Sequence, residues 1–141
     1  MSENNTRRPE KKYVAFGILH VGFSIIGLYI TIATLDSVAF LHASPPGAVK
    51  SYYVMTIANV LLIALLGVAG YQLLRRGSAG TSFSKWICLS EVCYILLLPV
   101  LWLLPGLRPS VIPVTGIANV GLMVQGAGLY PLISLVMLTR F

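Results

Sequence analysis

Charged residues are scarce in this chain. Only 10% of its 141 residues are Asp, Glu, Lys or Arg, and four of these are acidic. A soluble domain carries about 25% charged residues, so this chain has too few to cover a surface that faces water. Hydrophobic residues make up 57% of the sequence, and the mean hydropathy is +0.85. The composition is typical of a protein that lies in a lipid bilayer.

Cysteine and histidine are also rare, with two of each. Cys88 and Cys93 are about 7.5 Å apart along one predicted helix, which is too far for a disulfide. There is no CxxC pair and no His/Cys cluster, so neither a metal site nor a cofactor is expected. The sequence also lacks the GxSxG, HExxH, P-loop and GxGxxG motifs. No catalytic residue is therefore predicted, and a membrane enzyme acting on lipid or quinone is only a third hypothesis.

Four long apolar runs follow a polar, basic tail, residues 1–12. The predicted membrane spans are residues 13–35, 52–74, 86–104 and 114–138. Each run is close to, or above, the ~20 residues that cross a bilayer. We therefore predict an all-α fold, a transmembrane four-helix bundle that forms one membrane domain over residues 13–141. Pro99 and Pro131 lie inside the third and fourth spans, where each predicts a kink.

Short loops are predicted between the spans. Ser44-Pro45-Pro46-Gly47 is expected to break any helix in the first loop, residues 36–51. The second span is followed by GSAGTSFS, residues 77–84, which is typical of a Gly/Ser turn. A basic start before an apolar run also fits a signal peptide. The first run is longer than the roughly 7–15 apolar residues of such peptides, so we expect it to be a membrane span.

Basic residues are divided unevenly between the two ends of the predicted bundle. Four spans leave both termini on one side, and that side carries eight Lys and Arg residues against two on the other, Lys50 and Arg108. The eight are Arg7, Arg8, Lys11, Lys12, Arg75, Arg76, Lys85 and Arg140. The positive-inside rule then predicts cytoplasmic termini in a multi-pass protein of the bacterial cytoplasmic (inner) membrane. These residues form no aromatic-interleaved face, so nucleic acid is not an expected partner.

The two halves of the chain share a short sequence. Ile57-Ala58-Asn59-Val60 recurs as Ile117-Ala118-Asn119-Val120, and each copy lies near the outer end of an even-numbered span. The match favours two pseudo-repeated helical hairpins, related by an axis along the membrane normal.

Two ionisable side chains fall at membrane depth. His20 lies about 12 Å from Lys12, and Glu91 lies about 9 Å from Lys85, measured along each helix. A charge at the bilayer centre costs about 2.5–3.5 kcal/mol on insertion scales, and either pairing Glu91 with His20 or protonating it would lower that cost. One hypothesis is a structural hydrogen bond between the first and third helices. The other is a proton-responsive or ligand-binding site.

One face of the first span carries only small or polar residues at spacings of three and four. These are Gly17, His20, Ser24, Gly27, Thr31 and Thr34. Small residues allow close helix approach and hydroxyls bond across interfaces, so this face is predicted to pack into the bundle. It directs His20 inward, and the candidate intramembrane polar site therefore comprises His20, Glu91 and Ser24.

Other polar groups lie in the second and fourth spans. Asn59 and Asn119 form a candidate outer-leaflet polar pair, which either bonds across the bundle or lines a shallow outer cavity. Gln125 is the deepest polar residue of the fourth span. That span also contains Gly116, Gly121, Gly126 and Gly128. This small-residue surface is predicted to pack against a helix of this chain, of a membrane-protein partner or of a second copy.

Two stretches resemble a known class of protein. They are GVAGYQLLRRG, residues 67–77, followed by a Gly/Ser turn and a Trp-led span, and Phe16-Gly17-Ile18-Leu19-His20 after the basic tail. Together they resemble small bacterial four-helix membrane proteins to which no activity is assigned. The resemblance implies an architecture and no catalytic residues.

Two functions fit these observations. The first is a non-enzymatic accessory or structural subunit in the membrane, associating with other membrane proteins or with itself. The alternative is a small-solute or proton-coupled carrier that works as an oligomer through His20 and Glu91. A chain of this size is small for a transporter acting alone, because alternating access usually needs two larger repeats.

Overall fold

The computed structural model describes residues 11–35, 46–101, 118–126 and 128–140, which form helices joined by turns and include no strand. The helices are α1 (Lys11–Leu35), α2 (Pro46–Arg76), α3 (Thr81–Leu101), α4 (Val120–Met123) and α5 (Leu129–Thr139), with a 3-10 turn at Gly77–Gly80. The all-α fold with four helical segments is confirmed for this part of the chain, with α4 and α5 together forming the fourth. Several predicted features lie outside the described residues: the tail residues 1–10, the loop residues 36–45, Arg108 and Gly116.

The small and polar face of α1 is buried. Its buried residues are Tyr13, Gly17, His20, Ser24, Gly27 and Thr31, which confirms the predicted packing face, and Thr34 is half-buried. The large side chains Ile25, Tyr29 and Ile32 are each more than 60% exposed. A surface helix of a soluble protein does the opposite and buries its apolar face.

Helix α2 begins earlier than the sequence predicted. It starts at Pro46 and runs for 31 residues, so the prediction of a loop as far as Ser51 is wrong. Proline suits the first helical position because its φ is already helical and the N–H there needs no partner. The helix ends before Gly77, whose φ of 55° is the left-handed conformation in which helices commonly terminate.

Helix α3 also begins earlier than expected. Only Gly77–Gly80 forms the turn, and α3 starts at Thr81, so the predicted Gly/Ser turn is too long by four residues. The Thr81 hydroxyl donates to the carbonyl of Ser78 at 2.7 Å, which ties the turn to the first residue of the helix. Helix α3 continues past Pro99 to Leu101, and a kink at Pro99 stays a prediction.

The fourth segment is interrupted, so the prediction of one continuous helix is wrong. Between α4 and α5 lie Gly126 and Gly128, with φ values of 72° and 95°. Glycine adopts these angles without the steric cost that a side chain would bring. Pro131 is the third residue of α5, where its missing N–H costs little. The helix therefore breaks at the glycines and not at Pro131.

Glycines let the α1 backbone approach both α2 and α4. A Cβ on Gly70 would lie 2.8 Å from the carbonyl oxygen of Gly17, and a Cβ on Gly121 would lie 2.8 Å from that of Gly27. Such distances leave no room for a methyl group. Gly121 therefore packs against α1 within this chain, and Gly128 faces the side chain of Ile95.

One end of the bundle gathers the start of α1 and the ends of α2 and α5. Tyr13, Leu73 and Leu138 form a buried cluster there, with Phe16 packed against it. The basic residues next to this cluster in sequence are Lys11, Lys12, Arg75, Arg76 and Arg140. Lys50, near the start of α2, lies at the opposite end of that helix.

Candidate functional site

His20 ties three helices together. Its ring is fully buried, with Nδ1 2.5 Å from the Tyr130 hydroxyl on α5 and Nε2 2.8 Å from the Ser84 hydroxyl on α3. The ring of Tyr130 stands edge-on to His20, with centroids 5.5 Å apart, and also packs against Phe23. Both ring nitrogens of His20 are thus occupied by hydroxyl groups from other helices.

Glu91 is the only acidic residue in the described part of the chain. Its side chain is fully buried, and the amide of Gln125 donates to its Oε1 at 3.4 Å. Its other oxygen, Oε2, has no hydrogen-bond partner, and neither has Oε1 of Gln125. Among the described residues Glu91 forms no ion pair. The carboxyl group is therefore enclosed, close to one amide and unpaired with any cation.

The expected hydrogen bond between His20 and Glu91 is absent from the described structure. Each side chain contacts a different partner, because His20 is level with Ser84, seven residues or about 10 Å along α3 from Glu91. Cys88 lies between them on α3, with its sulfur 3.7 Å from His20 Nε2. The two residues therefore belong to one buried group without forming a direct pair.

Six residues make up this group, which we call the polar cluster. They are His20, Ser84, Cys88, Glu91, Gln125 and Tyr130. Ser24, the third predicted member of the site, is buried but packs against α2, where a Cβ on Gly67 would lie 2.6 Å from its Oγ. Ser24 therefore helps α1 approach α2 and lies outside this cluster.

The two predicted asparagines occupy a second buried polar region. Asn59 donates to the carbonyl of Ala118 at 3.1 Å and to the hydroxyl of Thr31 at 3.3 Å. Asn119 accepts from the Tyr94 hydroxyl at 2.7 Å. The asparagines are thus brought to neighbouring positions, because Asn59 bonds the residue directly before Asn119. Both are buried, which disfavours an outer cavity, but the described contacts include no bond between the two side chains, and Asn59 Oδ1 has no partner.

Ser84, Cys88, Tyr94 and Tyr130 were not among the residues predicted for these sites. A signal for the first two exists in the sequence: Ser84, Cys88 and Glu91 are spaced by four and three residues and so share a helix face. This is the spacing that identified the buried face of α1. Tyr130 has no comparable signal, since its position depends on where the fourth segment breaks.

The arrangement can hold helices together and can exchange or hold a proton. The hydroxyl, imidazole, thiol, amide and carboxyl groups come from three of the four segments, and hydrogen bonds between them fix helix against helix. The described residues include no group of three His, Cys, Asp or Glu side chains placed to hold a metal ion. Among the described residues, no nucleophilic side chain of the polar cluster has an open path by which a substrate could reach it.

Comparisons with protein-family models, with curated proteins and with solved structures find no match for this chain. The candidate site is therefore assigned from its geometry alone.

Proposed function

We propose that this chain is an integral, multi-pass membrane protein that serves as a non-enzymatic accessory or structural subunit. The observation that carries the membrane location is the inverted polarity of the bundle. Its fully buried side chains include His20, Glu91 and Asn59 beside apolar ones such as Ile63 and Leu66, whereas large apolar side chains cover its outer surface. In water so many exposed large apolar side chains would be an aggregation hazard, because soluble monomers rarely expose contiguous apolar patches larger than a few hundred Å².

Helix dimensions agree with this location. The helix Lys11–Leu35 and the stretch Val49–Val100, which covers most of α2 and α3, are long and apolar enough to cross a membrane. Core helices of soluble proteins can meet the same criterion, but they are mostly buried, and here only 22% and 33% of the two apolar windows are buried. The 25 residues of α1 extend about 37 Å, against a hydrocarbon core of about 30 Å.

The proposed orientation puts both termini in the cytoplasm of a bacterial cell. Its support is the common end at which Lys11, Lys12, Arg75, Arg76 and Arg140 adjoin the cluster of Tyr13, Leu73 and Leu138. Basic residues near span ends are retained on the cytoplasmic side. The 3-10 turn then faces the cytoplasm, and Lys50 faces the outside.

Single-cysteine labelling tests this topology. In a chain with Cys88 and Cys93 replaced by alanine, we expect a membrane-impermeant maleimide to label Lys50→Cys in intact cells and Ser78→Cys only in inside-out vesicles. Both positions are exposed, so they form a matched pair. The reverse pattern would contradict the orientation, and release of the protein by alkaline carbonate would contradict integral membrane insertion.

The accessory role is favoured by the enclosure of the polar cluster. His20 and Glu91 have no exposed surface, and a carrier needs its site to reach water on each side in turn. The chain's partner is proposed to be another membrane protein or a second copy. The glycines of the fourth segment support such a partner contact less than the sequence predicted, because Gly121 already packs against α1 of the same chain.

A proton-coupled carrier is a second candidate, favoured by the break in the fourth segment. Interrupted membrane helices next to polar residues are a recurring feature of transporter sites, and Gln125, which contacts Glu91, lies in this break. The carrier would use His20 and Glu91 within an oligomer. The enclosed cluster is then one state of a protein that opens in turn to each side.

One preparation distinguishes the two roles. For the accessory role we expect purification from native membranes in mild detergent to yield a stable membrane-protein companion or an oligomer. The purified chain in vesicles should then carry no proton flux, measured with an enclosed pH-sensitive dye. A flux that disappears in Glu91→Gln would instead support the carrier. A lone monomer without flux would contradict both.

A further inference from the structure

The contact between Glu91 and Gln125 contains two oxygen atoms without partners. Gln125 uses one amide N–H to bond Glu91 Oε1 at 3.4 Å. The remaining atoms of the two groups are Glu91 Oε2 and Gln125 Oε1, and both are buried and lack any hydrogen bond. The side chains themselves are 0% and 2% exposed. Two acceptor oxygens thus remain in a pair of planar groups that already touch.

An ionised carboxyl group cannot resolve this arrangement. A carboxylate and an amide oxygen are both acceptors, so neither can satisfy the other. A buried carboxylate without a cation is also costly, since the effective penalty is several kcal/mol per ion. Water cannot supply the missing donor from the surface, because both side chains are enclosed.

The titratable groups around Glu91 do not provide a counter-charge by contact. On α1, His20 is bonded through both ring nitrogens to Tyr130 and Ser84. On α3 the neighbours are Cys88 and Tyr94, and the Tyr94 hydroxyl donates to Asn119. Helix α2 has no buried Asp, Glu, Lys, Arg or His among its described residues. The fourth segment contributes Tyr130, which is bonded to His20.

We propose that Glu91 and Gln125 form a proton-binding site. One proton is held on Glu91 Oε2, and the resulting O–H donates a hydrogen bond to Gln125 Oε1. The Gln125 amide already donates to Glu91 Oε1, so this second bond closes a reciprocal pair between a carboxylic acid and a primary amide. A single proton satisfies both oxygens that lack partners. The site joins α3 to the interrupted fourth segment and holds the proton away from water.

A metal cation fits the site less well than a proton. Hard cations such as Ca²⁺ and Mg²⁺ take six or more oxygen ligands, whereas only two oxygens without partners meet at this contact. Main-chain carbonyls near the pair are already engaged, since that of Gln125 accepts from the Tyr130 N–H at 3.1 Å and that of Met123 accepts from the Gly126 N–H at 3.0 Å. A proton needs only one donor and one acceptor.

This inference rests on the burial of the pair and does not need the accessory role. Infrared spectroscopy in an ester-free detergent tests it, because protonated carboxyl groups have a carbonyl band that carboxylates lack. At neutral pH we expect wild-type protein to show this band, with a small downward shift in heavy water. Glu91→Gln should lose it. Wild-type protein without such a band would overturn the proposal, whatever the behaviour of the variants.

The reciprocal bond is tested by Gln125→Leu, which removes both the donor and the acceptor. We expect the band to move to higher wavenumber, because the carbonyl loses its hydrogen bond, or to disappear if the proton is lost. The matched control is Gln72→Leu in α2, which should leave the band unchanged. An unmoved band in Gln125→Leu would refute the pairing. These outcomes are independent of the labelling and purification results that test the proposed function.

Discussion

Replacing Gly70 with alanine is expected to destabilise the bundle by about 1–3 kcal/mol, the usual cost of overpacking a close contact. A Cβ on Gly70 would lie 2.8 Å from both the carbonyl oxygen of Gly17 and the Cβ of His20. These atoms belong to the backbone or are fixed directly to it, so no rotamer change relieves the clash. Helices α1 and α2 would have to separate along the interface that positions His20.

The matched control is Gly22→Ala on α1. A Cβ on Gly22 would meet no atom within 4 Å. Alanine is favoured over glycine inside a helix by up to ~1 kcal/mol, so the control should be neutral or slightly stabilising. The same chemical change therefore has opposite expected signs at the two positions, and helix propensity alone cannot produce that difference.

The buried thiol of Cys88 provides the measurement. Cys88 is fully buried and Cys93 is exposed, so in a Cys93→Ala background maleimide labelling reports opening of the bundle. Titration with a denaturing detergent should give an earlier labelling midpoint for Gly70→Ala than for Gly22→Ala. Equal midpoints would show that α1 and α2 do not pack as closely as described.

The existence of the helical segments was predictable, because an apolar run of this length is typical of a helix that crosses a bilayer. Their bounds were less predictable, because they depend on single residues. Pro46 starts α2 although proline usually signals a break, since its missing N–H costs nothing in the first helical turn. Gly126 and Gly128 interrupt the fourth segment although glycine is common in membrane helices. Composition does not reveal that their φ values are positive.

The contents of the site were partly predictable. Burial of His20 followed from the spacing of small and polar residues along α1, and the assignment of Glu91 to the same site followed from the cost of a charge in lipid. The contacts between particular side chains were not predictable. The depths of His20 and Glu91 in the membrane were measured along each helix from the nearest lysine, and such distances do not give the register of one helix against another. Helix α3 begins four residues before Lys85, and the observed register places Ser84, not Glu91, beside His20. Register between helices depends on side-chain packing, which these distances ignore.

The inverted polarity has an energetic consequence for such a site. In the proposed membrane location, the lipid around the bundle is as apolar as the exposed side chains, so helix association would depend on close packing and hydrogen bonds rather than on the hydrophobic effect. The glycine contacts of α1 provide the packing, and the polar cluster provides bonds between α1, α3 and the fourth segment. A single buried histidine can therefore matter more to this fold than a single buried leucine.

Replacing His20 with leucine tests that consequence. We expect a loss of about 1 kcal/mol, the net contribution of a typical intramolecular hydrogen bond, with most of it arising at the hydroxyl of the half-buried Tyr130. Ser84 can instead donate to a carbonyl one turn earlier in its own helix, as serine commonly does. The measurement is the midpoint of helix loss in denaturing detergent, followed by circular dichroism, since Cys88 contacts His20 and is unsuitable as the reporter here.

A double-mutant cycle isolates the bond between His20 and Tyr130. Tyr130→Phe combined with His20→Leu removes both partners. We expect the double variant to be more stable than the sum of the single losses predicts by about 0.6 kcal/mol, the average for side-chain hydrogen bonds in membrane proteins, and by at most about 1.7 kcal/mol. The control cycle combines Thr34→Val on α1 with Tyr130→Phe and should be additive. The Thr34 hydroxyl donates only to the α1 carbonyls of Ile30 and Thr31, so it joins no second helix. Strict additivity in the cycle of His20 and Tyr130 would mean that His20 stabilises the bundle through its volume, and the polar cluster would then lose its role in joining α1 to α5.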